Sequence, residues 1–398
     1  MKKTVLFVID SLHCAGAEKS ITTLLNLIDY TKYDIDLQLF GYGGDLETIL
    51  PKEVNLLPPL EYTKFTSLEI KKAIVKSFTN FKLNMLKSRL LYSYRLRKAS
   101  FNNAEKARLL WQCASKSIKP NKINYDIAIS YAQGIPTFYV ADKINATKKY
   151  AWVNVSYKLK ELEREFQKEY YECYNNIVAV SESTKEIFLE NYPEFKEKMK
   201  VILDINDYNI IKKMTESGKE YEDSFKGLKL LTIGRLAYQK GYDIAIDACR
   251  RLKENNMDFK WYILGKGYQE EEIRGWIKKY KLEDNFILLG IKSNPYPFIN
   301  DCDIYVQTSK FEGFGIAIAE ARMLNKPVVT TEFDAVYTQM IHEKNGLIVD
   351  MNGQAVCDGI LRLINDKGLR SSIIEYLNQE KKGNTEELKK FYELIEEN

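Results

Sequence analysis

Short continuous apolar runs, each closed by a polar or glycine-bearing loop and followed by a helix-period segment, recur along the chain. The first unit reads "TVLFVID", then "SLHCAGAE", then "KSITTLLNLID". Strands buried on both faces of a parallel sheet have this unbroken apolar character, because neither face meets water. "DIDLQLF" comes next and ends in the turn "GYGGD". "YDIAISYA", "KKYAWVNV" and "NNIVAV" extend the series, the last followed by a helix with Ser181 or Ser183 as N-cap. Around 204–227 the strand pattern is lost and the chain turns polar. It restarts with "LKLLTIGRL", a helix from Gly241, "FKWYILGKG", a helix over 269–281, "NFILLG" and a short helix at 295–300. "CDIYVQTS", a helix from about 315, "KPVVTT", "GLIVD" and a helix over 353–365 complete it.

Two successive βα series predict an α/β protein of two doubly wound, Rossmann-like domains facing each other across a cleft. The expected division is an N-terminal domain over 1–205, carrying a helical insert at about 64–119, and an interdomain connection at 206–227. A second domain over 228–375 and a C-terminal helical segment over 376–398 follow. A chain of 398 residues is too long for one ordinary core and suits two. Such sheets bind ligands outside the carboxyl ends of their strands. Chemistry is therefore expected in loops 10–17, 130–136, 152–158, 234–241, 265–268, 290–295, 308–316 and 331–338.

Composition changes this picture in two places. Six scattered cysteines without a CxxC, and only two histidines, exclude a zinc framework and fit reduced thiols. The apolar run Val5 to Ile9 is too short for a signal peptide, and no run approaches a membrane span. A cytoplasmic location is the expectation. The net charge of +4 hides a local excess: residues 64–119 hold 14 Lys or Arg against Glu69 and Glu105, a local charge of +12. Ile74, Phe78, Phe81, Met85 and Leu86 fall at helical spacing among these cations. Such a basic amphipathic segment suits an anionic membrane surface, here the inner face of the cell membrane, or else is a solvated face. Nucleic acid is not expected, because no recognition module accompanies the charge.

In "GRLAYQKG", Arg235 and Lys240 occupy a strand-to-helix loop between Gly234 and Gly241. Two cations there suit a diphosphate, one as a bidentate fork and one as a point charge. In "SKFEGFGIAIAE", Gly313 and Gly315 open a helix whose free N–H groups attract anions. On a continuous helix Glu312 and Glu320 would lie roughly 12 Å apart along the axis and about 80° apart around it. That does not suit a glycosidase pair, whose carboxylates flank one bond at about 5–9.5 Å. It suits the two ends of one elongated ligand. No GxGxxG follows a strand, which argues against a dehydrogenase.

Together "GRLAYQKG", "EGFGIAIAE", "LGIKSNPYPFINDCDIYVQTSKFEGFG" and the N-terminal "AGAEKS" resemble glycosyltransferase family 4, a retaining family of GT-B fold. The match covers nearly all of 228–350 and is looser in the first domain; it is strongest to enzymes of bacterial capsule, exopolysaccharide or lipopolysaccharide assembly. The resemblance implies transfer of a hexose from a nucleotide sugar, UDP-linked by expectation, to a glycan or lipid-linked acceptor. It implies that Arg235 and Lys240 hold the donor diphosphate, that Glu312 faces the sugar near the reacting centre, and that Glu320 takes the ribose hydroxyls. Gly313, Phe314 and Gly315 would line sugar and phosphates, Gly290, Ile291 and Lys292 would cover the base, and Gly16 would close onto the phosphates. No metal or other cofactor is expected. The chain departs from the family at Asn154, where many relatives have a histidine, and at Ala15, where they have a glycine. Asn154 and His13 are assigned to the sugar and acceptor side; Cys14 beside His13 reads as a loop thiol. The rival readings are a catalytically silent nucleotide-sugar-binding subunit, which Asn154 favours, and a nucleotide-sugar epimerase or hydrolase of the same fold.

Overall fold

The structure, a computed structural model, describes residues 2–13, 16–79, 82–97, 101–155, 159–216, 221 and 223–397. The expectations for Cys14, Ala15 and Phe81, and for the Phe78 side chain, fall outside these residues. The chain divides into two compact units. One comprises Met1–His13, Ala17–Leu203 and Lys389–Asn398, and the other is built on Asp204–Leu388.

The first unit holds β1 (Lys3–Ile9), β2 (Tyr33–Leu39), β3 (Val54–Leu56), β4 (Asn124–Ser130), β5 (Asn145–Val153), β6 (Asn176–Ala179) and β7 (Met199–Val201). They form one sheet in the order β3-β2-β1-β4-β5-β6-β7, and all pairs are parallel. Val5 to Ile9 of β1 are buried on both faces, as the unbroken apolar run requires. The helix Glu182–Asn191 is capped by Ser181, whose Oγ accepts from the Thr184 amide at 3.1 Å. β3 and β7 had no sequence signal. Each is a three-residue edge strand with one buried position, Val54 or Met199.

The helical insert is broken where one continuous period was expected, into Ile70–Thr79, Leu83–Leu96 and Asn103–Ala114. Its apolar positions also divide differently. Met85 is buried and Leu86 packs against the first unit's core. Ile70, Ile74, Val75, Leu83, Leu90, Leu91 and Tyr94 are exposed instead. No described helix is long and apolar enough to cross a membrane.

The second unit holds β8 (Leu228–Ile233), β9 (Phe259–Leu264), β10 (Phe286–Gly290), β11 (Ile304–Gln307), β12 (Val328–Thr331) and β13 (Leu347–Val349). Their order is β10-β9-β8-β11-β12-β13, again all parallel. Counted within the unit this is 3-2-1-4-5-6, the dinucleotide-binding order. The described residues of 206–227, expected as a connection, pack within this unit. The helix Tyr208–Glu216 lies on the helix Tyr296–Asp301, and the Tyr221 ring sits 4.1 Å from Tyr262 and 5.1 Å from Phe298.

The C-terminal segment also divides. The helix Lys367–Gln379 belongs to the second unit, whereas Lys389–Asn398 belongs to the first. The reason is aromatic. Phe391 packs on Phe7 and Trp152 at 6.2 and 6.1 Å, and Tyr392 stacks on Tyr33 at 5.9 Å. Tyr150 also donates to the Leu394 carbonyl at 3.0 Å. Phe391→Ala should therefore cost about 3–5 kcal/mol in denaturant unfolding. A loss below about 1 kcal/mol would mean that the terminal helix is not part of this core.

Candidate functional site

β8 and β11 are neighbours, with Leu230 opposite Ile304 and Leu231 opposite Tyr305. β9 and β10 lie on one side of this pair, and β12 and β13 on the other. The loops after β8 and β11 therefore leave in opposite directions and open a crevice at the switch point. Those loops carry Arg235 and Lys240, and Glu312 to Gly315.

The two loops are laced together. The Lys310 amide donates to the Gln239 carbonyl at 2.8 Å, Gln239 Nε2 to the Phe311 carbonyl at 3.0 Å, and Thr308 Oγ1 to the Lys240 carbonyl at 2.9 Å. Gly241 has φ +62°, and a Cβ there would lie 2.0 Å from the Thr308 carbonyl oxygen. Only glycine fits so close an approach in that conformation.

Lys240 Nζ pairs with Glu312 Oε1, and their side chains are 18% and 8% exposed. Glu312 Oε1 also accepts from Ser309 Oγ at 2.6 Å and Gln307 Nε2 at 3.0 Å, while Oε2 has Gln239 Nε2 at 3.4 Å. Close by, burial and then the Glu312 charge push the Tyr242 phenol up, so it remains a donor to the Gly234 carbonyl at 2.9 Å. Arg235 is exposed and forms no ion pair among the described residues, so its guanidinium is open to an anion.

The helix Ile316–Met323 begins after Gly315, whose φ is +86°. Glu312 and Glu320 do not share the continuous helix that their spacing predicts: Glu312 lies in the loop, and only Glu320 is helical. Gln339 Nε2 donates to the carbonyls of Phe314 and Gly315 at 2.5 and 3.1 Å. In a planar trans peptide the next N–H points the opposite way, so the Gly315 and Ile316 amides face away from Gln339. Arg322 fixes Gln339 through Oε1 at 3.2 Å and is itself paired with Glu380. Glu320 is 1% exposed and accepts from the Tyr296 hydroxyl at 2.9 Å. A ligand hydroxyl must share that carboxylate with Tyr296.

The remaining expected positions are spread over other strand ends. Gly290 ends β10 with φ +72°, Ile291 beyond it is exposed, and Lys292 Nζ lies 5.8 Å over the Phe298 ring. Gly16 opens the helix Gly16–Leu27, which belongs to the first unit from Ala17 onward, and His13 is exposed in the loop before it. Asn154 follows β5. Its Nδ2 donates to the Tyr131 carbonyl at 2.8 Å, and its Oδ1 is buried without a hydrogen-bond partner. Among the described residues no group of three or more His, Cys, Asp or Glu could hold a metal ion.

Sequence reasoning missed Gln307, Ser309, Tyr305, Gln239, Tyr296 and Gln339. A signal for the first three was present. Tyr305, Gln307 and Ser309 alternate along "IYVQTS", putting three polar groups on one face of a buried strand and its extension.

Comparison with known proteins follows this geometry. The family model for glycosyl transferases group 1 matches residues 215–380. The N-acetylgalactosamine-N,N'-diacetylbacillosaminyl-diphospho-undecaprenol 4-alpha-N-acetylgalactosaminyltransferase of Campylobacter jejuni is 29% identical over 199 residues, 49% of this chain and 52% of that protein. The capsular polysaccharide biosynthesis glycosyltransferase CapM of Staphylococcus aureus is 27% identical over 213 residues, 50% of this chain and 55% of that protein. The chain thus spans about half the length of these curated relatives. A crystal structure of Anabaena HepE in complex with UDP and glucose covers 99% of both chains at TM-score 0.70 and 16% identity. The fold is that of the GT-B glycosyltransferases, with two Rossmann-like domains.

Removing one partner of a largely buried ion pair strands the other charge. Lys240→Met should lower unfolding stability by about 3 kcal/mol, and the Lys240→Met/Glu312→Gln double variant should lose less than the sum of the single losses. Strict additivity in this double-mutant cycle would show that the two side chains are not coupled.

Proposed function

We propose that the protein is a retaining glycosyltransferase. It moves a hexose from a UDP-linked donor to a lipid-linked or glycan acceptor in assembly of a bacterial surface polysaccharide. The observation that carries this reading is the grouping at the second unit's switch point. A free arginine, a lysine matched to one glutamate, and a helix N-terminus with outward amides meet where two loops diverge. Among the described residues, no other strand-end loop of the unit combines an unpaired arginine, a lysine and a helix N-terminus in this way.

In the proposed reaction the bond between the anomeric carbon and the diphosphate breaks, and negative charge grows on the leaving oxygen. Arg235, Lys240 and the Gly315 and Ile316 amides stabilise that charge more in the transition state than in the bound donor. Glu312 faces the sugar, Glu320 holds the ribose hydroxyls, and Ile291 and Lys292 cover the base. The leaving phosphate oxygen takes the acceptor's proton, so no side-chain base is required of Asn154. Its unpartnered buried oxygen supports a role as acceptor for a sugar hydroxyl. His13 lies on the acceptor side. No metal is assigned to this reaction.

The basic insert is assigned to the anionic inner face of the membrane. Each nearby cation is worth about 1 kcal/mol against anionic lipid. Lys64, Lys71, Lys87, Arg95, Arg97, Lys106 and Lys116 have no ion pair among the described residues, while Lys72, Lys82, Arg108 and Lys119 pair with Glu69, Glu61, Glu163 and Glu61. The exposed Val75 and Tyr94, at 64% and 59%, add apolar contact to the charge. The relatives' names support the pathway: one acts on a diphospho-undecaprenol and another serves capsule synthesis.

Incubation with a panel of nucleotide sugars and bacterial lipid extract tests the activity. Nucleotide release that needs lipid and yields a glycosylated lipid is expected. Release without lipid would indicate hydrolysis or epimerase chemistry, and binding without release a silent subunit. Arg235→Ala should reduce transfer on the order of 10²-fold with an unchanged melting temperature, because its side chain is exposed. In a separate flotation assay, vesicles containing phosphatidylglycerol should carry the protein at low salt and release it at high salt. Equal binding to neutral vesicles would contradict the electrostatic part of the docking.

A further inference from the structure

A buried polar relay runs behind Glu312, and no part of the reading above uses it. The Ile233 amide lies 3.3 Å from the Tyr305 hydroxyl, which donates to Gln307 Oε1 at 2.6 Å and lies farther, at 3.4 Å, from the Ile233 carbonyl. Gln307 Nε2 then donates to Ser309 Oγ at 2.6 Å and to Glu312 Oε1 at 3.0 Å, and Ser309 Oγ donates to the same Oε1 at 2.6 Å. Tyr305, Gln307 and Ser309 are all at or below 1% exposure. The direction of the relay is set at both ends. A backbone N–H can only donate at the start, and an ionised carboxylate can only accept at the finish. The Gln307 amide therefore has one orientation that satisfies all of its neighbours. Burial holds the Tyr305 phenol well above its ordinary value, with the Glu320 and Glu312 charges adding to the shift, so the relay keeps its donor.

From this arrangement we infer that Gln307 is a positioning residue. It and Ser309, with Lys240, occupy Glu312 Oε1, fix the carboxylate's rotation and leave Oε2, which has only the long 3.4 Å contact from Gln239 Nε2, as the oxygen presented to the ligand. The inference rests on the reading of Glu312 as the sugar-facing carboxylate, and it adds which oxygen works and what aims it. A carboxylate that rotated freely would divide its time between productive and unproductive orientations. One held by three donors on a single oxygen does not, and small misplacements of this kind are costly in rate.

Gln307→Glu tests it, because the shape is kept while the donating amide becomes a second carboxyl group. The titratable groups around that position are Glu312 and Tyr305, which hydrogen-bond to Gln307 directly, Lys240 from the loop after β8, which shares Glu312 Oε1, and Glu320 and Tyr242, which act on the Tyr305 phenol. Protonated, the new carboxyl donates to Glu312 as the amide does. Ionised, it repels Glu312. Its folded pKa is therefore raised above the unfolded value. The variant should match wild-type stability in acid, lose stability as pH rises from the unfolded carboxyl pKa of about 4.3 to the raised folded value, and stay lower above it. Melting temperatures of the variant and wild type across pH read this without any donor. The pH dependence should shrink strongly in a Glu312→Gln background.

The functional readout is turnover of the sugar nucleotide selected by the panel. The ratio of Gln307→Glu to wild-type kcat should rise at least tenfold as pH falls across the carboxyl's titration. Gln307→Met should lower kcat more than it changes donor KM. A flat turnover ratio, or a melting difference independent of pH, overturns the inference. If Glu312→Gln leaves turnover intact, it is the reading of Glu312 that falls. If Glu312→Gln abolishes turnover while the Gln307→Glu ratio stays flat, only the role of Gln307 falls.

Discussion

The pairing of Lys240 with Glu312 is the interaction on which the site depends. The two residues leave adjacent parallel strands on loops that run in opposite directions, and a topological switch point would otherwise leave those loops apart. The ion pair, the Gly241 contact with Thr308 and the Gln239 bonds tie the loops together. One of these loops carries the exposed Arg235, and the other leads into the N-terminus of the helix Ile316–Met323. Both charges of the pair are largely removed from water, so neither is strongly favoured to be alone. Lys240 is thus already matched to an anion, and Arg235 is the exposed cation of the loop that the proposed diphosphate would meet first.

Around that pair each supporting group has a separate task. Gln339, fixed by Arg322 and Glu380, ties the Phe314 and Gly315 carbonyls inward and so turns the next amides outward. Tyr296 satisfies the buried Glu320 carboxylate, which would be costly to leave unpaired. Glutamine recurs at these joints, at 239, 307 and 339, for a physical reason. Its neutral amide donates and accepts without adding charge to a site whose charges are already balanced.

Much of the fold was legible in the sequence because parallel strands buried on both faces have a composition of their own. Eleven of the thirteen strands among the described residues fall on apolar runs, and β3 and β7 do not because edge strands of three residues bury too little to leave a pattern. Arg235, Lys240, Glu312 and Gly315 were legible from residue type and loop position. The break in the basic insert was not, since helical period alone does not say which positions face a core. Nor was the docking of Phe391 and Tyr392 on the first unit, which joins residues nearly the whole chain apart. The supporting glutamines were missed for a related reason. An amide becomes informative only once its two partners are known, and those lie on different strands.

The proposed function requires the switch point of the second unit to hold a nucleoside diphosphate. A crystal structure of the protein with UDP checks this. The diphosphate oxygens should lie within hydrogen-bond distance of the Arg235 guanidinium and the Gly315 and Ile316 amides, with the ribose hydroxyls on Glu320. UDP bound elsewhere, or a diphosphate that touches neither Arg235 nor those amides, would contradict it.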